Sequence, residues 1–345
     1  IIETSPNLDS SERYRDRNDR QLFWLRGLRK YYERYWRYPR SLKNIKADIF
    51  HVIDHSEGHL NFWLKRNQKA SVVTCHDLIN LVRPETFKGL ARLPTVSMWF
   101  WKTSINSMRN AERIIAVSSH TKKDIVKSLN IDASSVDVIP NAVEPIFRVL
   151  PESYSEQIRA QHGIKHSDFC ILNVGSNHSR KNVSGILKAL KILNEKGIPV
   201  HFWKVGKDFN DEQLIFIHEH QLEKNVTFLG QPEIEDLIAI YNAADVLVAP
   251  SFYEGFGLTV LEAMACGLPV ITSNVTSLPE VVGDAAVLVN PEDIQLISLE
   301  IQNFFEDPVY RQKFSHKGLK RVTQFTWKNT AEYVASIYEK TLSKG

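Results

Sequence analysis

Six short, largely apolar runs punctuate the second half of the chain: FCILNVG (169–175), VHFWKVG (200–206), NVTFLG (225–230), ADVLVAP (244–250), LPVITS (268–273) and AAVLVN (285–290). A strand with one wet face alternates apolar and polar residues. Strands whose apolar residues run on without alternating are covered on both faces. Helical segments separate these runs, among them NVSGILKALKILNEKG with its terminal glycine. Such alternation predicts a parallel, doubly wound sheet. The first half has the same rhythm in ADIFHVI (47–53), ASVVTCHD (70–77), RIIAVSS (113–119) and VDVIPNAV (136–143), with a capped helix in SHTKKDIVKSLN. EPIFRVLPES, with two prolines, leads out of the first unit. A chain of 345 residues is too long for one ordinary core. The expected fold class is therefore α/β, with two Rossmann-like units, 1–148 and 149–326.

Hydrophobic and charged contents of 43% and 24% are those of a globular protein. No run of eighteen apolar residues suggests a membrane span, and no secretory signal is read at the start. The chain opens on IIETSP without Met. Upstream residues, a first strand and its loop, are expected to be missing. Cys75, Cys170 and Cys266 lie in apolar runs without metal-like spacing, which suggests buried reduced thiols and a cytoplasmic setting.

The net charge of +3 hides an asymmetry: residues 1–47 hold twelve Lys/Arg against six Asp/Glu. Between Arg13 and Arg40, arginines interleave with Trp24, Tyr31, Tyr35 and Trp36. That mixture suits peripheral contact with an anionic membrane leaflet. A solvated face whose arginine stems cover the rings is the alternative. LPTVSMWFWK (93–102) is a second candidate contact, or a core helix. No nucleic-acid partner is expected.

Ligands of open α/β sheets sit beyond the carboxyl ends of strands. There PSFYEGFGLTVLEAMACG (250–267) carries Glu254 and Glu262, eight positions apart. Glu262 lies in an apolar helix of about Leu258 to Cys266 with no Lys or Arg within seven residues. A buried unpaired carboxylate costs several kcal/mol, so it must face a cleft or have a partner. Gly255 and Gly257 let the backbone approach a ligand. The N–H groups of Phe256, Gly257, Leu258 and Thr259 form a helix N-terminus suited to phosphate. Carboxylates repel phosphate, so each glutamate suits hydroxyls. Eight helical residues span at most roughly 12 Å. A nucleoside diphosphate sugar has that shape, with a ring at each end and phosphates between. VGSNHSRKN supplies cations: Arg180 and Lys181 follow Gly175 and Ser176 at a strand's carboxyl end. In the first unit VVTCHDL places His76 at a strand end facing the same cleft. There is no D-x-D for a metal beside the diphosphate, no zinc spacing and no nucleophile elbow.

EGFGLTVLEAMACGLPVITSNVTSLPEVVGDAAVLVNPED resembles the signature of retaining glycosyltransferase family 4, whose E-x7-E matches Glu254 and Glu262. VGSNHSRKN, NVTFLG, YNAADVLVAPS, VVTCHDL, RIIAVSSHTKKDI and VIPNAVEPIF extend the likeness over about residues 70–335. The resemblance implies a GT-B architecture, with the helix of about 327–345 completing the first domain. It implies Glu254 on the donor sugar, Glu262 on the ribose, and Lys181 with Arg180 on the diphosphate. His76 would approach the donor sugar, and Leu229 would join the donor site. Many members carry Arg where this chain has Ser176, so Arg180 is expected to supply that charge. The family's Gly-rich loop after its first strand is not visible here.

The expected function is transfer of a hexose from a nucleotide sugar, UDP-glucose first and GDP-mannose second, to a glycan or lipid-linked acceptor. Retention and independence of metal or other cofactor are expected. A GT-B nucleotide-sugar 2-epimerase, or a non-catalytic nucleotide-sugar or glycan binder, remain alternatives.

Overall fold

A computed structural model describes residues 3–4, 29–84, 95–165 and 168–343. Two separate parallel sheets form. The first runs β1 (Phe50–Val52), β2 (Ser71–Cys75), β3 (Arg113–Ala116) and β4 (Val136–Val138), in that order. The second comprises β5 (Phe169–Gly175), β6 (Val200–Gly206), β7 (Val226–Phe228), β8 (Val246–Ala249), β9 (Val270–Ser273) and β10 (Val287–Val289). Its spatial order is β10-β9-β8-β5-β6-β7. The helices that matter below are α1 (His59–Arg66), α2 (Thr95–Ser107), α3 (Ser119–Leu129), α4 (Val183–Glu195), α5 (Ile234–Ala243), α6 (Leu258–Ala265), α7 (Leu278–Val282) and α8 (Trp327–Leu342).

Every run read as a strand forms one. On β5, Phe169 and Ile171 enter one core while Cys170 and Leu172 enter the other. Successive side chains point to opposite faces, so two cores demand apolar residues at both parities. This explains the missing alternation. All three cysteines are free and buried. α8, capped by the Thr326 side chain, lies against the first sheet. Ile337 joins Val72, Ile115 and Ile139, and Tyr338 Oη meets His51 Nδ1 at 2.7 Å.

The winding of the second sheet positions the site. The chain enters at β5, steps outward through β6 and β7, then crosses back to β8 and proceeds to β10. Winding reverses between β5 and β8, and the loops leaving those two strands diverge around a crevice at their carboxyl ends. The loop after β5 holds Ser176 to Asn182, and the loop after β8 holds Pro250 to Gly257.

Part of the basic aromatic segment, residues 13–28, and residues 93–94 lie outside the described residues. Farther on, a π turn Glu33–Arg37 leads into an α turn Tyr38–Ser41. Tyr35 stacks near His59 and Phe100. The Arg40 guanidinium lies 4.5 Å from the Trp36 ring and 5.3 Å from that of Trp63. α2 has a mixed character: Ile105 is core, Trp101 packs beside it, and Trp99 is 62% exposed. Among the described residues, no helix is long and apolar enough to cross a membrane.

Candidate active site

Arg180 and Lys181 occupy a tight turn, Ser179–Lys181, that precedes α4. Asn182, at φ 56°, turns the chain left-handed into Val183. This swings both cations toward the loop after β8. Lys181 Nζ lies 2.7 Å from Glu254 Oε1, and Arg180 Nη1 lies 2.8 Å from Oε2. Ser251 Oγ also donates to Oε1, at 2.8 Å. The backbone reinforces the junction: Phe252 N–H donates to the Arg180 carbonyl at 2.7 Å, and Arg180 Nη1 to the Tyr253 carbonyl at 3.1 Å.

Glu254 is only 8% exposed. Burial alone would raise its pKa, but Lys181 and Arg180 outweigh that and hold the carboxyl below its ordinary range. The sequence reading kept this glutamate apart from the phosphate cations. In the fold they form one cluster of net charge +1. Each carboxylate oxygen accepts about two hydrogen bonds. Oε1 is filled by Lys181 and Ser251, while Oε2 keeps one acceptor position beyond Arg180. The Glu254 N–H itself donates to Thr276 Oγ1 at 3.2 Å. Thr276 sits at φ 60°, rare for a β-branched residue and a strain often found at functional loops.

The glycines divide their work differently from the expectation that both serve a ligand. A Cβ on Gly255 would lie 2.1 Å from the His76 carbonyl oxygen and 2.8 Å from Asp77 Cβ. Gly255 is therefore needed for the close approach of the two units. Gly257, at φ 113°, sets the sharp entry into α6, which has no side-chain cap. Phe256 is a core residue by its side chain, stacked edge-on to Phe325. Leu258 is exposed and Thr259 half-buried at the first helical positions. Their N–H groups start the helix and carry its positive pole.

His76 is brought directly against this loop, from the other unit. Its Nε2 meets the Ile53 carbonyl at 2.9 Å, and its ring lies 6.2 Å from that of His55. Around it the two units are tied together. Ser118 Oγ and Thr121 Oγ1 donate to the Gly255 carbonyl at 2.7 and 3.1 Å. Tyr253 Oη donates to Asp124 Oδ2 at 2.6 Å. Glu280 of α7 accepts the Ser119 and His120 N–H groups at 3.0 and 3.1 Å, closing the N-terminus of α3.

Glu262 has a partner that the sequence did not reveal: Tyr241 of α5 donates to Oε2 at 2.8 Å. Burial raises the Glu262 pKa, against the opposing influence of Tyr241 and Lys181. Its Oε1 keeps its acceptor positions. Gly175 and Ser176 lie half-buried at the end of β5. Leu229 packs on the core and donates its N–H to the Lys204 carbonyl at 2.9 Å. The site thus joins the loops after β5 and β8 with the end of β2. Of the residues around the site, sequence reading missed Ser251, Tyr241, Thr276, Ser118 and Lys204. Only Lys204, a cation inside an apolar strand, left a visible signal.

Two parallel-sheet α/β units meeting beyond their strand ends make the GT-B fold. Solved structures share the fold: sucrose-phosphate synthase of Thermosynechococcus elongatus matches with TM-score 0.75 at 23% identity, covering 92% of this chain and 80% of that one. Anabaena Alr3699/HepE, solved in complex with UDP, matches with TM-score 0.74 at 19% identity, covering 94% and 85%. Residues 155–321 match the family model "Glycosyl transferases group 1", and residues 3–146 match "Glycosyltransferase Family 4". "O-antigen chain mannosyltransferase B" of Escherichia coli is 31% identical over 305 residues, covering 87% of this chain and 76% of its own. The chain belongs to glycosyltransferase family 4. It is also 29% identical to the "Serotype-specific mannosyltransferase WbdA" of Escherichia coli, of whose length the match covers only 38%.

Proposed function

We propose that the chain transfers mannose from a nucleoside diphosphate mannose, GDP-mannose of the two donors considered, to a hydroxyl of a polysaccharide or lipid-linked glycan. The observation that carries this reading is Glu254 held between Arg180 and Lys181 at the winding reversal, against His76. The names of the Escherichia coli relatives, both mannosyltransferases, favour mannose over glucose.

In this reading the bond between C1 and the phosphate oxygen breaks, and negative charge grows on the leaving diphosphate. Arg180, Lys181 and the Leu258 and Thr259 N–H groups take up that charge, so no metal ion is required. Glu254 accepts a donor-sugar hydroxyl through its remaining Oε2 position, and Glu262 accepts the ribose hydroxyls. Gly175, Ser176 and Leu229 line the donor side, and His76 faces the sugar. The acceptor oxygen attacks C1 from the face the phosphate leaves, with retention, and its proton passes to that phosphate.

A lipid-linked acceptor would place the protein at the cytoplasmic leaflet. Arg40 between Trp36 and Trp63, with Trp99 exposed, supports peripheral contact there. Sedimentation with vesicles containing anionic lipid should show salt-sensitive binding. Protein that stays in the supernatant at low salt refutes this contact.

Radiolabelled GDP-mannose and UDP-glucose, each incubated with a mannan oligosaccharide and with EDTA present, test the main reading. Mannose incorporated with release of GDP supports it. Sugar inverted at C2 identifies an epimerase, and binding without turnover identifies a carbohydrate-binding protein. Turnover that EDTA abolishes and Mg²⁺ restores overturns metal independence.

A further inference from the structure

Lys204 is a cation in the wrong surroundings. It sits in β6 between Trp203 and Val205 and has no exposed surface. Its Nζ donates to the Gly175 and Val205 carbonyls, both at 2.7 Å, and among the described residues to no carboxylate. Burying an ammonium costs several kcal/mol unless it is well paired. Two carbonyls offset that only in part, and burial pulls the Lys204 pKa down to about 8, with Lys181 adding to the fall and Asp208 opposing it. An apolar side chain like its neighbours would serve the strand at lower cost. The cost is intelligible if the ammonium acts on the site.

What it grips is the last carbonyl of β5. The Gly175 oxygen also accepts the Lys207 N–H at 3.1 Å, and Gly206 lies so close that a Cβ there would be 2.3 Å from it. The carbonyl is thus fixed toward β6. In a trans peptide the C=O of one residue and the N–H of the next point in opposite directions. The Ser176 N–H is therefore turned away from β6, and β5 has β8 on its other side. That is the side of the loop carrying Glu254. Lys181 marks the same place, since a Cβ on Gly175 would lie 3.6 Å from its Nζ.

We propose that Lys204 is a positioning residue of the donor site: it holds the Gly175 carbonyl toward β6 and so presents the Ser176 N–H to the sugar-linked phosphate. This rests on the reading of the donor as a nucleoside diphosphate sugar. Lys204 does not touch the ligand. It fixes a peptide plane and adds a buried positive charge behind it.

The test compares GDP with GMP by calorimetry, with UDP and UMP in parallel, on the wild-type chain and on Lys204→Met. The two members of each pair differ by the distal phosphate, which a general loss of stability would not single out. Folded Lys204→Met should lose about tenfold in diphosphate affinity and less than twofold in monophosphate affinity. A folded variant that keeps the wild-type ratio overturns the inference and leaves the donor reading intact. A wild-type chain that binds neither diphosphate overturns the donor reading and the inference with it. Should Lys204→Met not fold, amide exchange on the wild type decides. GDP must slow exchange of the Ser176 N–H more than GMP does, and equal rates overturn the proposal.

Discussion

Tyr241 Oη donates to Glu262 Oε2 at 2.8 Å, from a side chain that is wholly buried. The tyrosine holds the carboxylate still, and no described residue bonds Oε1. If those acceptor positions take ribose hydroxyls, Glu262→Ala should weaken binding of free GDP by about 1.5–3 kcal/mol, the worth of hydrogen bonds to a charged group. Tyr241→Phe should weaken it less, since the carboxylate remains. Calorimetry on both variants checks this, and unchanged affinity in Glu262→Ala removes Glu262 from the nucleotide site.

Glu254 and Glu262 should give opposite pH signatures. The folded Glu254 has a pKa below its ordinary 4.5, so its stabilisation is full above 4.5 and is lost as pH falls through the lowered value. The folded Glu262 has a pKa above 4.5, so its burial costs stability once pH rises through that raised value. Urea unfolding of wild type and Glu262→Gln between about pH 4 and 7 should show the variant gaining on the wild type as pH rises. A constant difference would show that Glu262 is not held in this way.

Removing the charge of Glu254 leaves two cations facing each other in a partly closed site. Breaking a buried pair costs about 3–5 kcal/mol, and the partial exposure of Arg180 places the expected loss at the lower end. Glu254→Gln should therefore lower the urea midpoint and abolish turnover together. A variant as stable as wild type would show that the cluster is solvent-screened.

The contact at Gly255 should tolerate no side chain. Gly255→Ala places a Cβ against the His76 carbonyl, and the two units must separate to admit it. We expect a loss of about 1–3 kcal/mol and a large fall in transfer rate, with free GDP affinity little changed if the nucleotide is held, as proposed, by side chains of the second unit. Normal turnover would mean that the units need not meet here.

Glu280→Ala removes the acceptor for the Ser119 and His120 N–H groups. Helix capping is worth about 0.5–2 kcal/mol, and the exposed position of Glu280 argues for the lower half. Thermal unfolding should register that loss, with GDP affinity unchanged. A loss of nucleotide binding instead would place Glu280 in the site.

The strands, the two sheets and the E-x7-E spacing were legible in the sequence because each is a local pattern. Apolar runs such as FCILNVG reveal two-sided burial wherever they lie, and Glu254 and Glu262 share one loop and helix. What the chain could not show was which loops meet. Arg180 and Glu254 are far apart in sequence and come to 2.8 Å because β5 and β8 are neighbours where the winding reverses. Tyr241 and Lys204 gained their roles in the same way, from strand order and helix packing. Gly255 looked like a ligand-facing glycine until the opposing unit was in place. Periodicity and motif spacing are written residue by residue, whereas the partners of a buried charge are set by long-range packing, and only the folded chain decides them.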